Sequence, residues 1–158
     1  MKTKIIALII ASLSFATAAE KIKAPNGGRI IDTVTPPAEF LVTPEKKVEV
    51  RFLAADGKVI APAAQVVTVT MGDRAAPTKL AFTKDNDKLV SDKVIPEGKE
   101  LPVVLQIKTT PDAKAVTEKF NLNMAICPEC KLAEYACTCD HGAEAKPHKH
   151  TGGEDHKH

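Results

Sequence analysis

The chain has 158 residues, of which 44% are hydrophobic, and a formal charge of +2 at neutral pH. This length allows one ordinary domain with additional segments. Binding of nucleic acid needs a concentrated basic face, which the near-neutral charge does not favour, so we expect no nucleic-acid partner.

The first nineteen residues predict a secretory signal peptide. Lys2 and Lys4 precede an apolar stretch over residues 5–15, and small residues at 16–19 provide a cleavage site. The apolar stretch is shorter than the roughly 20 residues that span a bilayer, which disfavours a membrane anchor. We therefore expect an exported, periplasmic protein with no stable membrane insertion after cleavage.

A hydrophobic period of two dominates residues 29–124 and predicts β-strands, because alternating side chains point to opposite faces of a sheet. Turn residues separate these runs, and the eleven prolines of the chain disfavour long helices. The candidate strands are 29–34, 39–43, 47–52, 66–71, 78–83, 88–91, 103–108 and 116–124.

Such a series of short strands predicts an all-β domain over residues 20–126, an antiparallel β-sandwich of immunoglobulin-like architecture. The core tryptophan of immunoglobulin domains is absent. A small β-barrel gives the same local pattern and remains the alternative.

All four cysteines lie in the segment CPECKLAEYACTC, residues 127–139. Two closely spaced pairs in succession are typical of a tetrahedral thiolate site, so we predict a metal knuckle over residues 127–141. Its soft donors favour Cu(I), Zn(II) or Cd(II) over hard cations, with zinc or copper the first expectation. The predicted ligands are Cys127, Cys130, Cys137 and Cys139, with His141 as a possible replacement for one of them.

Other chemistry is open to the same cysteines. Exported cysteines tend to be oxidised, so disulfides are the main alternative, although the short loop between Cys137 and Cys139 disfavours a bond between those two. Free thiols, a purely structural zinc knuckle and a redox centre at Cys127 and Cys130 are further alternatives.

The remaining residues, 142–158, predict a disordered tail, because they include no large apolar side chain. All five histidines of the chain lie at or beyond position 141, and imidazoles bind Zn(II) and Cu(II). We predict weak, exchangeable metal capture there, with solvated filler or a cloning tag as alternatives. The tail histidines are His148, His150, His156 and His158.

No enzyme is predicted. A catalytic Ser–His or Cys–His pair needs a histidine fixed in the fold, and every histidine here lies at the C-terminal end. The sequence also contains no glycine-rich loop of the kind that holds a nucleotide phosphate.

Four segments are similar to the small N-terminal accessory domain of periplasmic adaptor proteins from heavy-metal RND efflux pumps. These segments are PNGGRIIDTVTPPAEFLVTPEKKVEVRF, QVVTVTMGDR, LPVVLQIK and EKFNLNMAICPEC. The resemblance covers residues 25–141. It implies binding or transfer of metal by the four cysteines and His141, and it implies components of an efflux system as partners. The adaptor's lipoyl-like domain and helical hairpin have no counterpart here, so we expect a free-standing version of the accessory domain.

The sequence therefore predicts an exported protein that buffers or delivers a thiophilic heavy-metal ion, linked to metal efflux. The alternative is a structural or interaction module whose C-terminus is stapled by disulfides or by a structural zinc ion.

Overall fold

The computed structural model describes residues 22–139 of the chain. The predicted signal peptide, the predicted tail and all five histidines, His141 included, lie outside the described residues.

Nine β-strands make up about half of the described chain, which confirms the all-β prediction. Eight of them overlap the candidate strands, and residues 66–71 match to the residue. The ninth, β4, is only two residues long and pairs with the end of β3 across a turn at residues 55–58. The strands are β1 (Arg29–Ile31), β2 (Ala38–Val42), β3 (Lys47–Leu53), β4 (Val59–Ile60), β5 (Val66–Met71), β6 (Thr78–Asp85), β7 (Lys88–Val94), β8 (Glu100–Lys108) and β9 (Val116–Asn123).

The strands form one antiparallel sheet in the order β1-β2-β3-β7-β6-β5-β8-β9, with β4 beside β3. The sheet curls until β1 and β9 approach each other, so that it is nearly closed into a barrel. Contacts across the remaining gap include the rings of Phe40 and Phe120, whose centroids are 5.2 Å apart. We call this gap between β1 and β9 the seam.

Strand β6 determines this architecture. Its residues 78–81 pair with β5, and its residues 82–85 pair with β7, so the hydrogen bonds run continuously through it. The predicted sandwich of two separate sheets is therefore not what the described residues form, and the barrel alternative is closer to the structure. Local alternation could not distinguish the two, because it does not specify which strands pair.

The core lies inside the barrel and follows the predicted alternation. Val48, Val50 and Phe52 of β3 are fully buried, and every second residue of β8 from Leu101 to Ile107 is also buried. Burial of these aliphatic and aromatic side chains is the main force that holds the strands together.

Two residues depart from the expected pattern. Glu49 belongs to the polar face of β3, yet it is only 8% exposed, because Arg51 and Lys88 approach its carboxylate at 2.5 and 2.6 Å. Met124 ends the candidate strand over residues 116–124, but β9 ends at Asn123 and the methionine is 41% exposed.

Within residues 22–139, the helical structure consists of a single 3₁₀ turn, Glu134–Ala136. No helix in this part of the chain has the length and apolar character needed to cross a membrane.

Candidate metal centre

The cysteine segment, residues 125–139, begins where β9 ends and folds back on itself. Ile126 forms an antiparallel bridge with Ala133, and the N–H of Glu134 donates to the carbonyl oxygen of Ala125 at 2.8 Å. The six residues between Ile126 and Ala133 therefore form a closed loop that begins with Cys127 and includes Cys130.

A tight turn brings the first two cysteines together. The N–H of Lys131 donates to the carbonyl of Cys127 at 3.1 Å, and the N–H of Cys127 donates to the carbonyl of Leu132 at 2.8 Å. Lys131 adopts a left-handed conformation with φ of 62°, which lets the chain reverse directly after Cys130. This position favours glycine, because a side chain in the left-handed region costs about 1 kcal/mol.

The 3₁₀ turn directs the second cysteine pair back to the first. The N–H of Cys137 donates to the carbonyl of Glu134 at 3.2 Å, which ends the turn. As a result Cys137 Sγ lies 3.6 Å from Cys130 Sγ, although the two residues are seven positions apart.

The four sulfur atoms form one cluster. All of them lie within 4.8 Å of one another, and no two are joined in a disulfide. Cys127 is fully buried, whereas Cys130, Cys137 and Cys139 are half-buried. The structure thus brings together all four predicted cysteine ligands at a place that solvent reaches from one side.

Backbone N–H groups favour the thiolate form of the first two cysteines. The N–H groups of Cys130 and Glu129 lower the pKa of Cys127. The N–H of Leu132, helped by the neighbouring thiols, lowers the pKa of Cys130 to about 7. Donation from an N–H stabilises a negative charge on sulfur, so these two residues have the character of preformed ligands.

The pKa values of the second pair, Cys137 and Cys139, are raised instead. The N–H of Cys139 donates to Cys137 Sγ at 3.4 Å, but partial burial and the sulfurs of Cys127 and Cys130 outweigh it and raise the pKa of Cys137. Burial, reinforced by Cys130 and Cys137, raises the pKa of Cys139 well above its usual range. Four thiols this close cannot all ionise without a compensating positive charge, and a metal cation would provide it.

The dimensions of the cluster fit a tetrahedral thiolate site. Four sulfurs at about 2.3 Å from a zinc ion lie about 3.8 Å from one another. The separation of Cys130 Sγ and Cys137 Sγ is close to this value, and the widest sulfur pair needs to contract by about 1 Å. A bound ion would therefore require only small side-chain movements.

Sequence reasoning missed the residues that fasten the cysteine segment to the barrel. Tyr135 is 4% exposed, and its hydroxyl accepts a hydrogen bond from the N–H of Val42 at 3.0 Å. Arg29 donates from Nη1 to the carbonyl of Tyr135 at 3.2 Å. The one signal in the sequence was that the chain's single tyrosine lies between the two cysteine pairs.

A second fastening involves the turn at Asn26, Gly27 and Gly28. Glu39 is fully buried and accepts hydrogen bonds from the N–H of Asn26, the side-chain amide of Asn26 and the N–H of Gly28. Leu132 of the cysteine segment packs against this turn so closely that a Cβ on Gly27 would lie 3.2 Å from it.

Comparisons of the chain with protein-family models, with curated proteins and with solved structures gave no match.

Proposed function

We propose that this chain is an exported metal-binding protein in which Cys127, Cys130, Cys137 and Cys139 together bind one thiophilic ion. The observation that carries the proposal is the single cluster of four sulfur atoms within 4.8 Å. Thiolates of this number suit Zn(II), Cd(II) or Cu(I), and the tetrahedral spacing suits Zn(II) best. The protein acts by binding and not by catalysis.

The ion is cargo that the protein buffers or delivers. Three of the four ligands are half-buried, so an incoming thiolate from a recipient can reach the ion from the solvent side. Stepwise exchange of one thiolate for another transfers the ion without releasing it into water. The histidines of the tail, together with His141, collect ions weakly and raise their concentration near the cysteines.

The compartment and the partners follow from the N-terminal sequence and the resemblance. The chain is exported to the periplasm by its signal peptide, and its recipient is a component of a heavy-metal efflux system. Cell fractionation and N-terminal sequencing of the mature protein test the first statement. A metal-sensitive phenotype on deletion tests the second.

A structural site is the second candidate, and the burial of Tyr135 favours it. A core side chain placed between two cysteine pairs is what a zinc ion that staples a chain terminus to a domain would require. In that case the ion exchanges slowly and does not pass to an external thiol.

Titration of Zn(II) and Cu(I) under anaerobic conditions tests the proposal. The proteins are the full chain, a chain ending at Asp140 and a variant with all four cysteines replaced by serine. We expect tight one-to-one binding in the first two and loss of tight binding in the third. Tight binding that survives replacement of the four cysteines and is lost on truncation at Asp140 would move the function to the histidines. No tight binding in any of the three would overturn the proposal.

Transfer separates the two candidates. The zinc-loaded full chain is mixed with a small dithiol chelator that matches its affinity, and the rate of zinc transfer is measured at increasing chelator concentration. A rate that rises with chelator concentration supports delivery, because the chelator then attacks the bound ion. A slow rate that is independent of the chelator supports the structural role.

A further inference from the structure

Tyr135 belongs to two parts of the molecule at once. It lies between Cys130 and Cys137 in the chain, and it is also a member of the barrel core, with 4% of its surface exposed. Its ring meets the ring of Phe40 edge to face, with centroids 6.0 Å apart. A movement of Cys137 and Cys139 therefore also displaces a side chain of the barrel core.

The hydroxyl of Tyr135 takes a place that the sheet leaves vacant. On β2, the N–H of Thr43 donates to Lys47 beside β3, so the N–H of the preceding residue, Val42, points to the opposite edge. On that edge β1 extends only to Arg29, which pairs with Phe40. A longer β1 would offer a backbone carbonyl to the N–H of Val42. The hydroxyl of Tyr135 accepts this N–H instead, at 3.0 Å.

Arg29 holds the other end of the same residue. Its guanidinium donates to the carbonyl of Tyr135 at 3.2 Å and lies over the ring of Phe120 on β9, at 4.8 Å from the centroid. The side chain of Arg29 thus joins β1, the 3₁₀ turn and β9. The cysteine segment fills the seam at this end of the barrel.

We infer that binding of the ion and docking of Tyr135 into the seam are thermodynamically coupled, so that the ion shifts the seam towards its closed form and loss of the ion shifts it towards an open one. This inference rests on the proposed function. An ion that holds Cys130 and Cys137 joins the ends of a six-residue loop that contains Tyr135. Closing the loop lowers the entropy that docking must overcome.

Coupling of this kind is reciprocal. If the ion strengthens the docking of Tyr135 by some factor, docking strengthens the binding of the ion by the same factor. Loss of the ion to a recipient then loosens the seam and uncovers the aromatic rings of Phe40 and Phe120. A partner therefore contacts one surface of this protein before it receives the ion and a different surface afterwards.

Hydrogen exchange on the full chain tests the inference, with one equivalent of Zn(II) or with excess chelator. The reporter is the amide of Val42. The control is the amide of Val48, which donates to the hydroxyl of Ser91 at the same distance, 3.0 Å, on the side of the barrel formed by β3 and β7. Chelation should speed exchange at Val42 about tenfold and leave Val48 within about twofold. Equal changes at the two amides, or no change at Val42, would overturn the inference.

Two matched variants test the reciprocal effect. Tyr135→Phe and Ser91→Ala each remove a hydroxyl that accepts a buried backbone N–H. Tyr135→Phe should weaken Zn(II) binding about fivefold, and Ser91→Ala should leave it unchanged although it destabilises the barrel. If the full chain binds Zn(II) tightly and both variants bind it equally well, the coupling is wrong and the proposed function stands. If the full chain binds neither Zn(II) nor Cu(I) tightly, both are wrong.

Discussion

The barrel and the cysteine segment differ in how much of their surface they bury. Strand β3 alone buries five of its seven residues. The fifteen residues of the cysteine segment bury only Cys127, Tyr135 and Ala136. The barrel can therefore be stabilised by its apolar core, whereas the segment depends on backbone turns, on one docked tyrosine and on whatever its four sulfurs bind.

This difference separates the two roles within one chain. The barrel fixes where the cysteines begin, because β9 ends at Asn123, only two residues before Ala125. The segment itself has little apolar surface of its own, so small changes in what it binds can change its conformation. A protein that takes up and releases ions benefits from a site of this kind on a barrel that has its own stable core.

Phe40→Ala tests the barrel side of the comparison and should have the largest effect. Phe40 is fully buried and contacts both Phe120 and Tyr135. We expect the free energy of unfolding in urea to fall by about 3–5 kcal/mol, with or without Zn(II). The control, Val94→Ala at a half-exposed position, should change it by less than about 0.5 kcal/mol. A similar effect for both variants would mean that the barrel is not held by its core.

A shift from pH 7 to pH 6 tests the cysteine side. The pKa values of Cys137 and Cys139 lie above their ordinary range, so both thiols carry protons in the ion-free protein and must lose them to bind an ion. Each such proton weakens binding about tenfold per pH unit, so we expect Zn(II) affinity to fall at least about a hundredfold, or about 2.7 kcal/mol.

The chain ending at Asp140 is the control for this pH dependence. It lacks the histidines, whose ordinary pKa is about 6.5 and falls in the same interval. The loss of affinity should be the same in the truncated chain. A loss below about tenfold, or one that disappears on truncation, would contradict thiolate ligation.

Glu39→Gln tests the connection between the two regions at the turn of Asn26 and Gly28. The buried carboxylate accepts three hydrogen bonds there, and a neutral amide keeps fewer and weaker ones. We expect unfolding to become easier by about 1.5 kcal/mol in urea denaturation. Glu97→Gln serves as the control, since its side chain is 95% exposed, and it should have no effect. Equal free energies of unfolding for the two variants would show that Glu39 does not stabilise the connection at this turn.

Lys131→Gly should have the smallest effect and in the opposite direction. Lys131 has a left-handed φ of 62° in the turn after Cys130. Glycine removes the steric cost but adds flexibility to the unfolded chain, so we expect a net gain of about 0.5 kcal/mol, seen as about a twofold rise in Zn(II) affinity. Lys131→Ala removes the same charge and keeps the strain, so it should give no gain. A gain in both variants would point to charge instead of conformation.

The strands of the barrel could be predicted from the sequence, but the pairing that nearly closes the sheet could not. The alternation of β5 and β8 is a property of neighbouring residues, so it can be recognised from sequence. The double pairing of β6 depends on strands that are distant in the chain, and β4 is too short to show a period. Burial of Glu49 likewise depends on Lys88, which is 39 positions away in the chain.

The cysteines of the site were predictable from their spacing, but their attachment to the barrel was not. Tyr135 contacts Val42 and Arg29, which are 93 and 106 positions away in the chain. A local pattern contains no information about partners at that distance. The ligand prediction for the histidines stays a prediction, because they lie outside residues 22–139.

X-ray absorption at the zinc edge tests the central claim most directly. The sample is the full chain, purified anaerobically without an affinity tag and loaded with one equivalent of Zn(II). Four thiolate ligands predict a first shell of four sulfurs at about 2.3 Å. A first shell dominated by nitrogen or oxygen at about 2.0 Å would contradict the claim that Cys127, Cys130, Cys137 and Cys139 hold the ion.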